Sequence, residues 1–293
     1  MLKQLAIIIL NYNEYEETQK CINNLIQKAI VNKIIVVDNR STNNSYDILR
    51  KKYINEYNID VIQTEKNGGY SYGNNFGMKY AIQNYEDIRY FCIMNPDVQI
   101  INSNVFENLI KKLEQKEDIA AISPVMILNG NFNYEGMCWD IPDNKTIYYN
   151  HISFLKNKRR KKTLYIEDDF ISEVGVIPGS FFIIKRNIME QIGFLDEKLF
   201  LYNEENFLAN KLKRINKKVA LSMNDYYEHN HKVKNQKVTL KNRLYYNKVG
   251  FESRKYLCKT FYKKTSLIML NIVNVLNYIY IYILSFIKLI RRR

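Results

Sequence analysis

At 293 residues, with 46% hydrophobic and 25% charged side chains, the chain has apolar material for one large core or two modest ones and is no disordered polypeptide. Its formal net charge of +14 is concentrated: residues 156–162 (KNKRRKK) carry six positive charges and residues 259–293 seven, with no acid in either, together thirteen of the fourteen. Two local basic patches suit anionic partners at two places; they do not describe a protein coated for nucleic acid, and none is expected as a partner.

Cys21, Cys92, Cys138 and Cys258 are widely separated and lack Cys-x-x-Cys spacing, which argues against a disulfide framework or zinc site and for a reducing compartment. Near the N-terminus the apolar run spans only residues 5–10, too short for the core of a signal peptide, so the catalytic part is expected in the cytoplasm.

Residues 5–10, 34–37, 59–62 and 90–94 are continuous apolar runs of strand length. Residues 14–29, 45–53 and 72–83 lie between them with helical spacing, and Asn43-Asn44-Ser45 offers an N-cap cluster for the second helix. Buried strands alternating with helices predict a parallel sheet covered on both faces, a Rossmann-like α/β arrangement that binds ligands beyond the carboxyl ends of its strands. Asn11-Tyr12-Asn13, Asp38-Asn39, Asn67-Gly68-Gly69 and Asn95-Pro96-Asp97 follow the four runs in turn, so all four strand ends point to one ligand site.

Another strand is expected at 119–126, then an irregular stretch over 129–169 that holds Trp139 and the first basic run. Regularity returns at 174–184, broken by Pro178-Gly179-Ser180, then as a helix over 204–215 and a strand over 219–223, after which come His229 and His231. The expected division is a catalytic domain over 1–231, with a nucleotide-binding half (1–125) and an acceptor half (126–231), and a separable helical extension over 232–293. Within the extension, residues 265–287 contain no charge over 23 positions, enough to cross a bilayer. Asn271, Asn274 and Asn277 make a polar stripe, however, and basic clusters flank both ends. A helix over 265–290 lying in the plane of an anionic membrane surface satisfies both clusters, whereas a transmembrane span puts one on the wrong side; a helix packed against a protein partner is the other reading.

The strand-end residues form an ordered series. LAIIILNYN (5–13), IVVDNRS (35–41), NGGYSYGNNFG (67–77), Asn95-Pro96-Asp97, Pro178-Gly179-Ser180 and GFLDEKLFLYNEE (193–205) resemble the family 2 glycosyltransferases, most of all their bacterial rhamnosyltransferase-like members, over roughly residues 3–231. The resemblance implies a GT-A fold, a nucleotide-diphosphosugar donor of the dTDP-rhamnose or UDP-hexose type, Mg²⁺ or Mn²⁺, and inversion at the anomeric carbon. It implies transfer to a hydroxyl of a cell-surface glycan or lipid-linked precursor, by an enzyme peripheral on the inner face of the plasma membrane.

By the same resemblance, Asp97 anchors the metal and diphosphate, with Asn95 standing where the family often has a first Asp. Asp38 contacts the base or ribose, and Asn11, Asn13, Asn67, Gly68, Gly69, Asn74 and Gly179 line the nucleotide-sugar pocket. Asn74 reads equally as a helix cap. His229 or His231 reaches the metal or diphosphate. A Glu-Asp pair supplies the general base in the family; here it is Glu204-Glu205, with Glu205 the matching base, and the longer second side chain leaves Glu204 as the other candidate. A sugar-1-phosphate nucleotidyltransferase lacks its Gly-rich N-terminal signature here. A catalytically degenerate nucleotide-binding scaffold, suggested by Asn95 and Glu205, is the remaining alternative.

Overall fold

The structure is a computed structural model that describes residues 4–30, 32–128, 130–132, 136–152, 170–230 and 239–290, the last three by backbone alone. The basic run 156–162, His231 and the terminal arginines lie outside the described residues.

The first part alternates as its apolar periodicity requires: β1 (Leu5–Asn11), α1 (Tyr15–Gln27), β2 (Lys33–Asp38), α2 (Ser45–Tyr53), β3 (Ile59–Gln63), α3 (Gly69–Asn84) and β4 (Tyr90–Met94). There follow β5 (Val98–Ile100), α4 (Val105–Gln115), β6 (Ile119–Leu128), β7 (Asn131–Phe132), α5 (Thr146–Tyr149), β8 (Ile171–Val174), β9 (Phe181–Lys185), α6 (Arg186–Gln191), α7 (Glu204–Arg214) and β10 (Lys218–His229). The extension forms α8 (Leu240–Phe261) and α9 (Lys264–Ile290).

The sheet runs β3-β2-β1-β4-β9-β6-β10-β5, with β7 on β6 and β8 on β10. Its first four strands are parallel; β9 enters antiparallel between β4 and β6. Alternation along β1 explains the two covered faces. Leu5, Ile7 and Ile9 join a core with Cys21, Ile22 and Leu25 of α1, while Ala6 and Ile8 join another with Met78 and Ala81 of α3. A glycine sets how closely α3 approaches: a Cβ at Gly77 would stand 2.7 Å from side-chain carbons of both Ile8 and Val37.

Three boundaries differ from the sequence expectation. α3 starts at Gly69 rather than 72, because Asn67 Oδ1 accepts the Gly69 N–H (3.1 Å) and Gly69 takes φ +86°. The run expected at 174–184 divides into β8 and β9 around Pro178-Gly179-Ser180. β10 continues to His229, past the loss of apolar pattern at 223, because three residues bulge out between Ser222 (paired with Pro124) and Tyr226 (paired with Val125).

The extension shares a core with the catalytic domain. Phe251, Leu257 and Cys258 of α8 and Leu270 of α9 pack with Ile147, Leu199 and Phe207. On α9 the asparagine stripe turns partly inward. Asn274 Oδ1 accepts from His151 Nε2 (2.9 Å), and Asn277 Nδ2 donates to Asn247 Oδ1 (2.6 Å), whereas Asn271 is exposed and bonds its own helix. Ile268, Ile272, Val275, Ile279, Ile283 and Phe286 face outward.

Gly77→Val is expected to destabilise the fold by about 1–3 kcal/mol through overpacking, with kinetics of the residual folded enzyme little changed. Urea unfolding measures this; an unchanged midpoint would show that α3 can lift from the sheet without cost.

Candidate active site

The first three strand ends are knitted together by one carboxylate. Asp38 is fully buried, and its two oxygens accept from Asn11 Nδ2 (2.7 Å), the Ser41 N–H (2.9 Å), Ser41 Oγ (2.6 Å) and Gln63 Nε2 (3.0 Å). A carboxylate with four protein donors has little capacity left for a nucleotide, so in this structure Asp38 organises the loop rather than presenting itself. Asn13, at φ 59°, extends the arrangement by accepting the Thr42 N–H (2.8 Å). Asn39, which strand-end reasoning found without giving it a role, donates to Asn67 Oδ1 (3.1 Å) and the Gly69 carbonyl (3.0 Å).

The glycine pair does something other than open a roof over a ligand. A Cβ on Gly69 would lie 2.0 Å from the Phe200 carbonyl oxygen, which accepts the Tyr70 N–H (3.1 Å). The close backbone approach is thus to the segment leading into α7. Gly68, at φ −93°, precedes it with the Tyr72 ring packed where a side chain would stand. Asn74 donates to the Tyr70 carbonyl of its own helix (2.9 Å), and its Oδ1 is buried without a hydrogen-bond partner.

At the fourth strand end, Asn95-Pro96-Asp97 is the turn from β4 into β5. The Asn95 N–H donates to the Ser180 carbonyl (2.8 Å), tying it to Pro178-Gly179-Ser180. β5 pairs antiparallel with β10 and sets His229 opposite Val98, one residue from Asp97. His229 Nε2 and Asp97 Oδ1 are 3.0 Å apart, with the imidazole 6% exposed and the carboxylate 24%. Adjacent corners of an octahedron with bonds of about 2.1 Å are also about 3.0 Å apart, so a small divalent cation fits this pair in place of the shared proton. A carboxylate oxygen beside an imidazole nitrogen suits Mn²⁺ better than Mg²⁺. Among the described residues no cluster of three or more Asp, Glu, His or Cys surrounds the pair, which leaves further corners to water or a diphosphate.

The acidic pair opens α7 behind two left-handed residues, Tyr202 (φ 74°) and Asn203 (φ 68°). Such backbone is costly for side-chain-bearing residues and persists only when surroundings enforce it. Ser253 of α8 does so, donating to the Tyr202 carbonyl and accepting from Asn203 Nδ2 (2.9 Å). Asn206 Nδ2 donates to Asn203 Oδ1 (3.0 Å), and Trp139 Nε1 donates to Asn206 Oδ1 (2.8 Å). Burial, with Glu205 beside it, pushes the Glu204 carboxyl up to about 8, and its Oε1 has no hydrogen-bond partner. Glu205 stands next to Gly179: its Oε1 and Tyr70 Oη are each 3.2 Å from where a Gly179 Cβ would be, and Tyr70 Oη donates to the Gly179 carbonyl (2.5 Å).

These groups meet in a cleft of about 810 Å³ lined by Asn95, Gly179, Glu204, Glu205 and His229. Asn11, Asn13, Asp38, Asn67, Gly68, Gly69 and Asn74 do not line it, and neither does Asp97, which reaches it only through its bond to His229. Trp139 does, and so do residues of α8 and α9, none of which the sequence marked for the site.

A sheet with four parallel strands on one side and an antiparallel strand entered beyond them, with His229 of the carboxylate–imidazole pair lining one cleft with two glutamates, has the architecture of the GT-A fold. The family model for glycosyl transferase family 2 matches residues 6–193, and the chain belongs to that family. It is 29% identical over 220 residues to the low-salt glycan biosynthesis hexosyltransferase Agl10 of Haloferax volcanii, covering 74% of this chain. It spans 64% of that relative's length. The solved structure of GalNAc-T7 with UDP, GalNAc and Mn²⁺ superposes with a TM-score of 0.64 at 15% identity, over 82% of this chain and 47% of that one. The mannosyltransferase PcManGT of Pyrobaculum calidifontis, with GDP-Man and Mn²⁺, gives 0.58 at 12% identity over 94% and 69%. At such identities the superpositions speak to the fold, which is GT-A.

Glu204 keeps its proton in the fold, whereas in the unfolded chain it ionises near 4.5. Its contribution therefore disfavours folding increasingly as pH rises from about 4.5 to about 8, and not below that window. Glu204→Gln should melt several degrees above wild type at pH 8 and together with it at pH 4.5; coincident melting at pH 8 would mean that an ionised carboxylate is accommodated there.

Proposed function

We propose that the enzyme inverts a sugar at its anomeric carbon while moving it from a nucleoside diphosphate to a hydroxyl of a cell-envelope glycan or lipid-linked precursor. The observation carrying this reading is that His229, hydrogen-bonded to Asp97, lines the same cleft as Glu205 and Glu204. Asp97 and His229 would hold a divalent cation, which would supply positive charge to the departing diphosphate. The loop organised by Asp38, with Asn11, Asn13 and Asn67, forms the nucleotide end. Glu205 takes the acceptor proton. Glu204, whose carboxyl is pushed up by burial and by Glu205 beside it, is suited to donate a hydrogen bond to substrate and is the other candidate for the base. Hexosyl and 6-deoxyhexosyl donors both fit this assignment.

Glu205→Gln should lower kcat at least about a hundredfold with unchanged nucleotide affinity, the scale expected for a lost general base. Asp97→Ala should abolish the Mn²⁺ dependence of UDP or GDP binding read by thermal shift. A deeper loss of kcat in Glu204→Gln than in Glu205→Gln would move the base by one residue; turnover that survives both would end the base assignment altogether.

The occupant of the outward apolar face of α9 is, in this reading, the surface of an anionic bilayer on the cytoplasmic side. The face is long and interrupted only by Asn271 among its described exposed residues, 22% of the helix's apolar window is buried inside the molecule, and Lys263 and Lys264 stand at its start to meet headgroups. Ile272→Glu with Ile279→Glu should release the protein from vesicles containing phosphatidylglycerol without lowering its melting temperature. Retention on such vesicles would assign the face to another occupant.

A further inference from the structure

α8 presents one side to the cleft through Arg243, Asn247, Gly250 and Arg254, spaced four, three and four residues apart. The two arginines are separated by three helical turns, about 16 Å at 1.5 Å per residue. Gly250 makes room for the second of them: Arg254 Nη1 lies 3.1 Å from the position of a Gly250 Cβ and donates to the Gly250 carbonyl (3.2 Å). The guanidinium is thereby folded back beside Tyr202, the residue that leads into the acidic pair; the Tyr202 ring comes within 3.9 Å of the same Cβ position.

Little negative charge answers these cations from their own element. Between Leu240 and Arg293 the sequence contains one acid, Glu252, and it is exposed and pairs with Lys255 (3.7 Å). The next helix continues the same wall in a different chemistry. Tyr280, Ile281 and Leu284 of α9 line the cleft, while Ile279, Ile283 and Phe286 face outward from the same turns. The cleft wall is thus cationic along α8 and becomes apolar along α9, whose other side is exposed.

We propose that Arg243 and Arg254 bind the phosphate of the acceptor, and that the acceptor is a glycan carried on a lipid phosphate or diphosphate, whose sugar hydroxyl receives the transferred residue and whose apolar chain leaves the cleft over α9. The proposal rests on the transferase reading and names the acceptor class for that same cleft. A guanidinium recognises phosphate oxygens through paired N–H donors, and the graded wall accepts a molecule that is anionic at one end and apolar at the other. A donor diphosphate is the other source of phosphate chemistry, and in the proposed function it falls to the carboxylate–imidazole pair.

The test is isothermal titration of the full-length protein with geranyl phosphate and with geraniol, below their aggregation limits and without vesicles, in Mn²⁺ with and without saturating UDP or GDP. Wild type should bind geranyl phosphate at least about tenfold more tightly than geraniol, with or without nucleotide, as charge-assisted bonds to phosphate would give. Arg243→Gln with Arg254→Gln should erase the preference while changing nucleotide affinity less than about twofold; Arg243→Lys with Arg254→Lys should keep part of it, and an unchanged melting temperature confirms that both variants fold. The proposal is overturned by equal binding of the two probes to wild type, by a preference that survives the glutamine variant, or by displacement of geranyl phosphate by nucleotide. In the last case the arginines serve the donor. Failure of wild type to bind UDP and GDP would instead refute the transferase reading and the present proposal with it, and the nucleotide titration alone shows that.

Discussion

Lys112 and Asp225 form a buried ion pair (3.3 Å), and the position of the Asp97–His229 pair follows from it. Lys112 also donates to Ser222 Oγ and to Asn224 Oδ1, Ser222 Oγ donates to Asp225, and Asn108 Nδ2 completes the shell of Asp225 (2.8 Å). Together they hold the three-residue bulge in β10. An odd insertion reverses the face that each later residue presents, so the bulge decides which way Tyr227 and His229 point. Tyr227 then meets Ser180 Oγ (2.7 Å), whose carbonyl accepts the Asn95 N–H, and His229 meets Asp97. Removing one partner of such a buried pair costs about 3–5 kcal/mol, enough to put the register itself at risk.

Much of the nucleotide half was legible because it obeys local rules. Continuous apolar strands with helical spacing between them require a covered parallel sheet, and the sheet fixes where Asn11, Asp38, Asn67 and Asp97 emerge. The sequence could not show what those residues touch. Asp38 reads as an open acceptor, yet four donors converge on it from Asn11, Ser41 and Gln63, up to 27 residues away. Gly69 reads as a ligand-facing turn, and the backbone it accommodates belongs to Phe200.

The acceptor half was less legible for a related reason. Its geometry comes from contacts distant in sequence: Trp139 to Asn206, Ser253 to Asn203, Lys112 to Asp225. Periodicity says nothing of a left-handed pair at Tyr202-Asn203, where only the asparagine hints at that conformation. Nor does an uncharged helix preceded by lysines disclose that its other side closes a cleft. A separable extension is the simplest reading of residues 232–293; in the structure Phe251 and Leu270 pack against Phe207, and Ser253 bonds the residues before Glu204.

One helix, α9, therefore serves two environments. The turns that place Ile281 against the cleft also place Ile279 and Ile283 outside it, so the entrance lies at the level of whatever those outer residues rest on. On a bilayer, a substrate entering there is supplied by lateral diffusion, and its effective concentration is a mole fraction among lipids, not a molarity. Turnover would then respond to dilution of the acceptor by inert lipid at constant bulk amount, a dependence that no soluble assay of the same cleft can display.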